Sequence, residues 1–354
     1  MKAEIRPNPP VVALTLGDPA GIGGEMIARL LAESDTCEEA NVVLIADPWL
    51  WADAQKVAGT SVATETVDTF GVVRNRKDHS KPAFLAIDTV KPADAPRAKA
   101  TPGGGKSMLA VLDACLGAAL RHDIDAICFA PMNKQALKLG GMHHEDELHW
   151  FTERLHVTGY TCEFNTLEGL WTSRVSSHVP LKDAPALITK DRIIAATKLI
   201  YKSLQSSGIE APRVGVCALN PHGGDGGTCG REEIEIIEPA VVELQRQGYP
   251  VQGPFPADTI FVRAKNADFD AIVTMYHDQG QIALKLMGFS RGVTVQGGLP
   301  IPVTTPAHGT AYDIAGQGKA TIDAMRNAFR IACRMGVAYR DTAPVTIELG
   351  AVAH

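Results

Sequence analysis

The sequence predicts an α/β protein with two domains, and two observations support this prediction. Short apolar runs of strand length alternate with longer segments in which apolar residues recur every three or four positions, as they do in helices. The chain has 354 residues, of which 45% are hydrophobic and 21% are charged, so it is long enough to form two hydrophobic cores.

The predicted elements follow from these patterns in chain order. The predicted strands are the apolar runs at 11–16, 42–46, 84–87, 126–131, 214–219 and 271–275. The predicted helices lie at 26–31, 107–120, 148–155, 191–204 and 232–247. Residues 90–105 are rich in Pro, Ala, Lys and Gly, and we expect them to form an exposed connection.

Charge and cysteine content exclude several classes of protein. The formal net charge of -6 argues against a nucleic-acid-binding protein, which would usually have a basic face. The seven cysteines form no CxxC pair and several lie in apolar runs, which is typical of reduced thiols in a cytoplasmic protein. The first ten residues lack the apolar core of a signal peptide and no apolar run reaches 18 residues, so we expect neither secretion nor membrane insertion.

Two glycine-rich segments are candidates for phosphate binding. The segment 17–25 joins a predicted strand to a predicted helix, so its backbone N–H groups could face an anion. A tight turn without a ligand explains it equally well, and it lacks the GxGxxG spacing. The run Gly105-Lys106-Ser107 has Ala100 where the P-loop motif requires glycine. We therefore expect this run to be a linker, followed by a helix that begins at Ser107.

Three histidines lie at or just after the ends of predicted strands. His178 lies at the end of a further predicted strand in the run 175–181, His222 follows the strand at 214–219, and His277 follows the strand at 271–275. Any one of them alone would more simply be a structural residue. Because the carboxyl ends of parallel strands meet at one edge of a sheet, we expect all three to lie close together. Three neutral imidazoles suit Zn²⁺ or another divalent transition metal, with positions left open for a substrate.

Two further polar segments have open interpretations. Asn133 and Lys134 follow the strand at 126–131, where α/β sheets place ligands, but they are equally well explained as solvated loop residues. Residues 142–150 are dense in histidines and acids without the HExxH order of a metal-binding helix. Acids at the start of a helix are also explained by the helix dipole. We interpret this segment as the rim of an active site.

Taken together, the motifs resemble those of the 4-hydroxythreonine-4-phosphate dehydrogenase family, PdxA. The matching stretches occur in one order at 17–23, 130–134, 177–181, 220–222, 256–259, 276–280 and 308–311. The resemblance implies the two-domain α/β/α fold of isocitrate and isopropylmalate dehydrogenases, and a homodimer whose active site both subunits complete. It implies a cofactor-side domain of residues 1–140 with 286–354, and a metal, substrate and dimerisation domain of residues 141–285.

The resemblance also implies ligands for the site. The implied metal ligands are His178, His222 and His277, with zinc expected and magnesium, manganese, cobalt or iron as alternatives. The implied cofactor-binding residues are His308, Gly309, Thr310, Ala311 and Asp313, in a run similar to the adenosine-binding loop of isopropylmalate dehydrogenases. A carboxylate at Asp313 would accept hydrogen bonds from both ribose hydroxyls and repel a 2′-phosphate, which predicts NAD rather than NADP.

The chemistry implied is an NAD-dependent, decarboxylating oxidation of a hydroxy acid. A divalent metal would acidify the alcohol beside a carboxylate, a hydride would pass to NAD⁺, and the resulting β-keto acid would lose CO₂. Asp258 and Asp278 are candidates to orient ligands or to accept the proton, and Lys285 is the candidate cation for a substrate anion.

The segment expected to bind phosphate departs from the family pattern. Family members use a Gly-His-Thr-Glu run, which aligns here with residues 144–147 and places acids where phosphate binds; acids repel phosphate. Two further phosphate contacts of the family, an Asn and an Arg, fall on Thr294 and Val303. The loss of an Arg removes the strongest phosphate contact that a side chain offers, and Lys285 remains.

These departures favour an unphosphorylated substrate. We expect a cis-dihydrodiol carboxylate such as that of terephthalate, which would give protocatechuate and CO₂. The predicted substrate-binding residues are Glu145, Asp146, Lys285 and Thr294. One alternative is 4-phosphohydroxy-L-threonine dehydrogenase of pyridoxal phosphate biosynthesis, and an alternative of another class is a non-catalytic metal-binding scaffold.

Overall fold

The computed structural model describes residues 9–341. Up to residue 158 its elements are β1 Val11–Thr15, α1 Gly23–Leu31, α2 Thr36–Glu39, β2 Asn41–Ala46, α3 Pro48–Ala58, β3 Glu65–Val67, β4 Ala83–Ala86, α4 Pro102–Leu120, β5 Ala126–Phe129, α5 Lys134–Leu139 and α6 Glu147–Arg154. Short 3₁₀ turns at Phe70–Asn75 and Pro92–Asp94 lie on either side of β4.

The second half of the chain continues the alternation. Its elements are β6 Cys162–Leu167, β7 Leu170–Arg174, α7 Lys190–Ser206, β8 Val214–Cys217, α8 Glu238–Arg246, β9 Val251–Phe255, α9 Ala257–Lys265, β10 Ala271–Thr274, α10 His277–Gly288, β11 Val293–Gly297, β12 Val303–Pro306 and α11 Asp323–Arg340. A π-helical segment, Glu233–Ile237, leads directly into α8. The predicted α/β class is therefore confirmed.

The chain forms two compact units. The first consists of residues 1–158 with 299–354, and the second of residues 159–298. These boundaries lie later in the sequence than those implied by the resemblance, 140 and 286. The difference has a packing reason: α6 contributes Trp150 and Phe151 to the core of the first unit, while α10 and β11 pack within the second.

In the first unit the strands lie in the order β3-β4-β2-β1-β5-β12, and each neighbouring pair among them is parallel. Every residue of β1 and β2 is buried, as expected for central strands of a parallel sheet that is covered on both faces. The core includes Met108 and Leu112 of α4 and Tyr339 of α11.

In the second unit the strand order is β11-β6-β7-β10-β8-β9. The pairs β11–β6 and β6–β7 are antiparallel, whereas β7–β10, β10–β8 and β8–β9 are parallel. Leu167, Ile272 and Leu284 belong to an apolar core beneath α9 and α10. The parallel part of this sheet brings the carboxyl ends of β7, β10 and β8 to the same edge.

The six strands predicted with bounds are confirmed to within two residues at either end. The strand expected to end at His178 instead ends at Arg174, and one helix start is wrong. Helix α4 begins at Pro102 rather than at Ser107, so the predicted connection at 90–105 is too long. Thr101 caps the helix, since its Oγ1 accepts a hydrogen bond from the N–H of Gly104 at 3.1 Å. Pro102 occupies the first helical position, where a proline is well tolerated.

The glycines of this helix have a packing role. A Cβ atom on Gly105 would lie 1.9 Å from the carbonyl oxygen of Ala136, and one on Gly140 would lie 2.3 Å from the carbonyl carbon of Gly105. The backbones of α4 and the end of α5 are thus in direct contact, which only glycine permits. Helix packing therefore accounts for the glycine at 105.

The helices and the cysteines of the described residues bear on the expectations about membrane insertion and disulfides. Within residues 9–341, no helix is both long enough and apolar enough to cross a membrane. All seven cysteines have free thiols; Cys229 is exposed and the others are buried.

We expect Gly105→Ala to lower the free energy of unfolding by about 2 kcal/mol. Overpacking of this kind costs up to about 3 kcal/mol, and the better helix propensity of alanine returns about 1 kcal/mol. Gly159→Ala is the control, since no atom lies within 4 Å of the added Cβ, and its effect should stay within about 0.5 kcal/mol. Urea unfolding followed by circular dichroism measures both, and equal midpoints would contradict the packing role.

Candidate active site

The three predicted metal-ligand histidines follow three adjacent parallel strands. His178 follows β7, His277 follows β10 and His222 follows β8. The register pairs Arg174 with Thr274 and Val273 with Val216, so β10 lies between the other two strands. The strand order therefore places all three histidine-bearing segments at one edge of the sheet.

His178 and His277 lie close to each other. Their ring centroids are 5.7 Å apart. The Nδ1 atom of His277 lies 2.7 Å from Oδ1 of Asp278, which leaves Nε2 as the nitrogen available to a ligand. A carboxylate in this position fixes the orientation and tautomer of a metal-binding imidazole.

His222 lies on a left-handed turn. The residues with positive φ, between 46° and 80°, are His222, Gly223, Gly224, Asp225 and Gly226. Such angles are unfavourable for a histidine and must be stabilised by the surroundings.

Glu233 supplies much of that stabilisation. Its buried carboxylate accepts hydrogen bonds from the N–H groups of Leu219 and Asn220 at 2.8 and 2.7 Å, directly before the turn. Burial raises the pKa of Glu233, but the hydrogen bonds from Asn220 and its neighbours outweigh it, and the net pKa is lowered. The carboxylate is thus held in its charged form beside the His222 segment.

The side chains of His178, His222 and His277 are of the type that binds a divalent metal. Three imidazoles from one sheet edge, one of them oriented by a carboxylate, match the ligands that zinc and similar ions prefer. Within residues 9–341, however, no three His, Cys, Asp or Glu side chains lie close enough to hold one ion. In this conformation His222 does not complete a site with His178 and His277, and the role of the three as ligands stays a prediction.

The other candidate residues of the second unit lie on three different elements. Asp258 is exposed in the first turn of α9, which follows β9 at the same sheet edge. Asp278 and Lys285 are exposed on α10. Thr294 is buried in β11, where its Oγ1 accepts a hydrogen bond from the side chain of Asn165 at 3.2 Å.

The predicted cofactor loop belongs to the first unit, where buried carboxylates fix it. Glu25 of α1 accepts hydrogen bonds from the N–H groups of Gly316, Gly318 and Ala320 at 3.1, 3.4 and 3.1 Å. Arg29, one turn later, donates to the carbonyl oxygens of Gly318 and Ala320. Helix α1 therefore determines the path of the loop.

Asp18 fixes the middle of the same loop. Its carboxylate accepts hydrogen bonds from the Tyr312 hydroxyl at 2.6 Å and from the N–H of Ala20 at 2.8 Å. Burial raises the pKa of Asp18 above its ordinary value, although these hydrogen bonds oppose the shift. Because Tyr312 precedes Asp313 directly, this contact sets where Asp313 lies.

The predicted cofactor-binding residues differ in exposure. Thr310 is buried and its carbonyl oxygen accepts the N–H of Ile22 at 3.2 Å. Gly309 and Asp313 are exposed, while His308 and Ala311 are half-buried. The Asp313 side chain is thus open to a ligand, whereas the residues around it stabilise the loop.

The segment at 142–150 has a structural explanation. Asp146 is buried at the start of α6, where its Oδ1 accepts the N–H of His149 at 3.0 Å and lies 2.6 Å from Nδ1 of the same residue. Burial raises the pKa of Asp146, but the contacts from His149 outweigh it, so the net pKa is lowered. Capping accounts for Asp146, and Glu145 is exposed; a role of either residue in substrate binding stays a prediction.

Sequence reasoning did not find the residues that anchor the two loops, Glu25, Glu233 and Tyr312, nor the buried Arg174 of β7. A signal existed for two of them. Glu25 begins a helix after a glycine-rich turn, and Arg174 interrupts an otherwise uncharged strand. Their partners lie far away in the sequence, so only the folded chain reveals what they contact.

The fold and this edge are those of an α/β dehydrogenase, and comparison with known proteins defines the family. The family model described as "Pyridoxal phosphate biosynthetic protein PdxA" matches residues 38–332. This match spans well over half of the 354 residues. The chain belongs to the PdxA family.

Known relatives are similar in sequence to this chain over nearly their whole length. The chain is 50% identical over 347 residues to a "Putative 4-hydroxythreonine-4-phosphate dehydrogenase 2" of Pseudomonas aeruginosa, covering 93% of this chain and 98% of the relative. It is 33% identical to a "Putative D-threonate 4-phosphate dehydrogenase" of Oceanobacillus iheyensis, with 91% and 98% covered. The crystal structure of 4-hydroxythreonine-4-phosphate dehydrogenase from Klebsiella pneumoniae aligns with a TM-score of 0.80 at 30% identity, covering 93% and 98%.

The expected dihydrodiol substrate is wrong. A terephthalate 1,2-cis-dihydrodiol dehydrogenase from Burkholderia xenovorans aligns with a TM-score of only 0.65 at 26% identity, covering 92% of this chain and 98% of that one. The relatives with higher identity are named for phosphorylated substrates. The expectation relied on acids replacing phosphate contacts, but Asp146 is directed at its own helix rather than at a ligand.

We expect Asp146→Ala to destabilise the first unit by about 1–2 kcal/mol, because α6 loses its cap. Because the pKa of Asp146 is lowered in the folded protein, its contribution to stability is fully present at pH values above the ordinary pKa of 3.8. It should be lost as the pH falls through the lower pKa of the folded protein. Asp146→Asn keeps a capping acceptor and should lose less. Urea unfolding at several pH values checks both variants, and a loss that does not depend on pH would contradict the charged contact.

Proposed function

We propose that this chain oxidises a phosphorylated four-carbon hydroxy acid of the 4-hydroxythreonine 4-phosphate or D-threonate 4-phosphate type, with NAD⁺ and a divalent metal. The observation that carries the proposal is the near full-length similarity to relatives named for these substrates. Three histidine-bearing strand ends at one edge and an exposed Asp313 on a fixed loop support it.

The proposed reaction has two stages. The alcohol carbon, two bonds from the carboxylate carbon, transfers a hydride to NAD⁺ and its hydroxyl loses a proton, which yields a β-keto acid. The bond between the α carbon and the carboxylate then breaks and CO₂ leaves, and the bonding electron pair forms an enolate that takes up a proton from solvent. A divalent ion held by His178, His222 and His277 would acidify the alcohol and polarise the new ketone.

The chain's own side chains have separate roles in this proposal. Asp278 orients His277 through the 2.7 Å contact to Nδ1. Asp258, exposed at the same sheet edge, accepts the alcohol proton and passes it to solvent. Lys285 attracts the substrate anion. In the first unit, Asp313 accepts hydrogen bonds from the ribose hydroxyls, which favours NAD⁺ over NADP⁺.

The direct test is NADH formation by the purified full-length chain. We expect turnover of 4-phosphohydroxy-L-threonine or D-threonate 4-phosphate with added divalent metal, and at least about tenfold lower kcat/KM with NADP⁺ than with NAD⁺, because Asp313 repels the 2′-phosphate. Unphosphorylated D-threonate is the control substrate. Light scattering on the same sample tests the implied homodimer. No turnover of either phosphorylated acid would refute the proposal and favour a non-catalytic scaffold.

Metal binding has a test that does not need activity. We expect Zn²⁺ titration by calorimetry to show an affinity at least about 100-fold weaker in each of the variants His178→Ala, His222→Ala and His277→Ala. Asp278→Asn acts only through His277, so its loss should be smaller, roughly 10–100-fold. His156→Ala is the control, since His156 is exposed on the first unit and lies outside the segment at 142–150. An unchanged affinity in all three histidine variants would place the metal elsewhere.

A further inference from the structure

One face of the second unit's sheet carries polar side chains beneath α10. Strands β11 and β6 pair Gln296 with Glu163 and Thr294 with Asn165, and β6 pairs Asn165 with Thr172 on β7. Residues directly opposite in antiparallel strands have their side chains on the same face. Helix α10 covers part of it, since a Cβ on its Gly280 would lie 3.9 Å from Thr172. A polar face beneath a helix is unusual and requires a reason.

Arg174 extends this face and is almost fully buried, with 5% of its side chain exposed. Its Nε donates to Ser177 Oγ at 2.9 Å, one terminal nitrogen donates to Asn165 Oδ1 at 2.9 Å, and the other donates to Glu163 Oε2 at 3.1 Å. Its carbonyl oxygen accepts the hydroxyl of Tyr160 at 2.8 Å. The guanidinium is therefore held in one orientation.

This face retains unused hydrogen-bonding groups. A guanidinium has five N–H donors, and the contacts of Arg174 with described residues use one on each nitrogen. One N–H on each terminal nitrogen is left. The Gln296 side chain is 4% exposed, and its Oε1 is buried without a partner among residues 9–341. Buried polar groups are normally paired, so two donors and an acceptor here point to a ligand.

The face adjoins the histidine edge. Ser177, which accepts from Arg174, directly precedes His178. The register pairs Arg174 with Thr274, three residues before His277. Gln281 of α10 donates to Asn165, and Lys285 follows one turn later on the same helix. A small molecule at the histidines would thus be near the Arg174 guanidinium.

We propose that Arg174 binds an oxyanion of the substrate, its phosphate or its carboxylate, and selects for the substrate class; this rests on the proposed function. A guanidinium forms two parallel hydrogen bonds with such a group, and the two unused N–H groups of Arg174 supply them. The unpaired Oε1 of Gln296 accepts a hydrogen bond from a substrate hydroxyl. Arg174 thus supplies a guanidinium to a chain that has Val303 where the family has its Arg.

The neighbouring charges are compatible with this role. Glu163 pairs with Arg174 and orients its fork, so the buried cation is compensated before a substrate binds. A purely structural ion pair would require neither the unused donors nor the unpaired amide oxygen.

The test compares ligand binding in Arg174→Lys, which keeps the charge but loses the fork, and in Arg174→Met, which loses both. Arg213→Lys is the matched control, because Arg213 forms an exposed pair with Asp270 in the same unit. Calorimetry with NAD⁺ and metal present measures Kd for D-threonate 4-phosphate, D-threonate and inorganic phosphate. We expect Kd and KM for the phosphorylated acid to rise on the order of 10- to 100-fold in both Arg174 variants, with the Kd for NAD⁺ unchanged and Arg213→Lys like the wild type.

The ligand panel identifies the group that Arg174 contacts. A loss restricted to the phosphorylated acid and inorganic phosphate assigns the contact to the phosphate, and an equal loss with D-threonate assigns it to the carboxylate. Wild-type affinities for all three ligands in both Arg174 variants would overturn the proposal.

Gln296→Leu keeps the test decisive if the Arg174 variants do not fold. It removes an acceptor that has no partner among the described residues, so the fold should be retained while substrate binding weakens about tenfold. Unchanged binding would overturn the proposal.

The proposed function and the role of Arg174 can fail separately. If substrate binding depends on Arg174 but no NADH forms, the proposed function is refuted and the role of Arg174 stands. If Arg174→Lys turns over substrate normally, the role of Arg174 is refuted and the proposed function stands.

Discussion

The parallel pairing of β7, β10 and β8 is the constraint on which the candidate site depends. Because these strands run in the same direction and are neighbours, segments far apart in sequence, around His178, His222 and His277, emerge at one edge. Three long connections, each containing a helix, are needed to return the chain to the start of the next strand. A change of strand order would separate the histidines even if every side chain were kept.

Buried carboxylates stabilise the loop that follows β8 in the second unit and the loop that follows β12 in the first unit. Glu233 accepts the N–H groups before the left-handed His222 turn, and Glu25 and Asp18 accept donors from the loop that carries Asp313. A charged group away from water is favourable only when it has several donors, so each carboxylate imposes a specific backbone path. The loops that carry His222 and Asp313 are in this way each tied to a buried carboxylate of their own unit.

The substrate prediction shows how one alignment can mislead. Acids at 145 and 146 were interpreted through the ligand they would repel, although a helix start selects acids for its own N–H groups. The positions where the family carries cations also do not include every buried cation of the second unit. Arg174 lies on β7, two strands away from Thr294 on β11, and the two side chains share a face through β6. The relatives named for phosphorylated acids are consistent with a site that has kept a cation in another strand.

The sequence by itself determined the α/β class, the predicted strands and the family, since hydrophobic periodicity and ordered motifs are local properties. It also placed His178, His222 and His277 at strand ends. Only the tertiary structure decided that α4 begins at Pro102, that Gly105 contacts α5, and that Glu163, Arg174 and Gln296 form one polar face. These features depend on pairing between distant segments, and a residue's sequence neighbours do not specify its partner in another strand or helix.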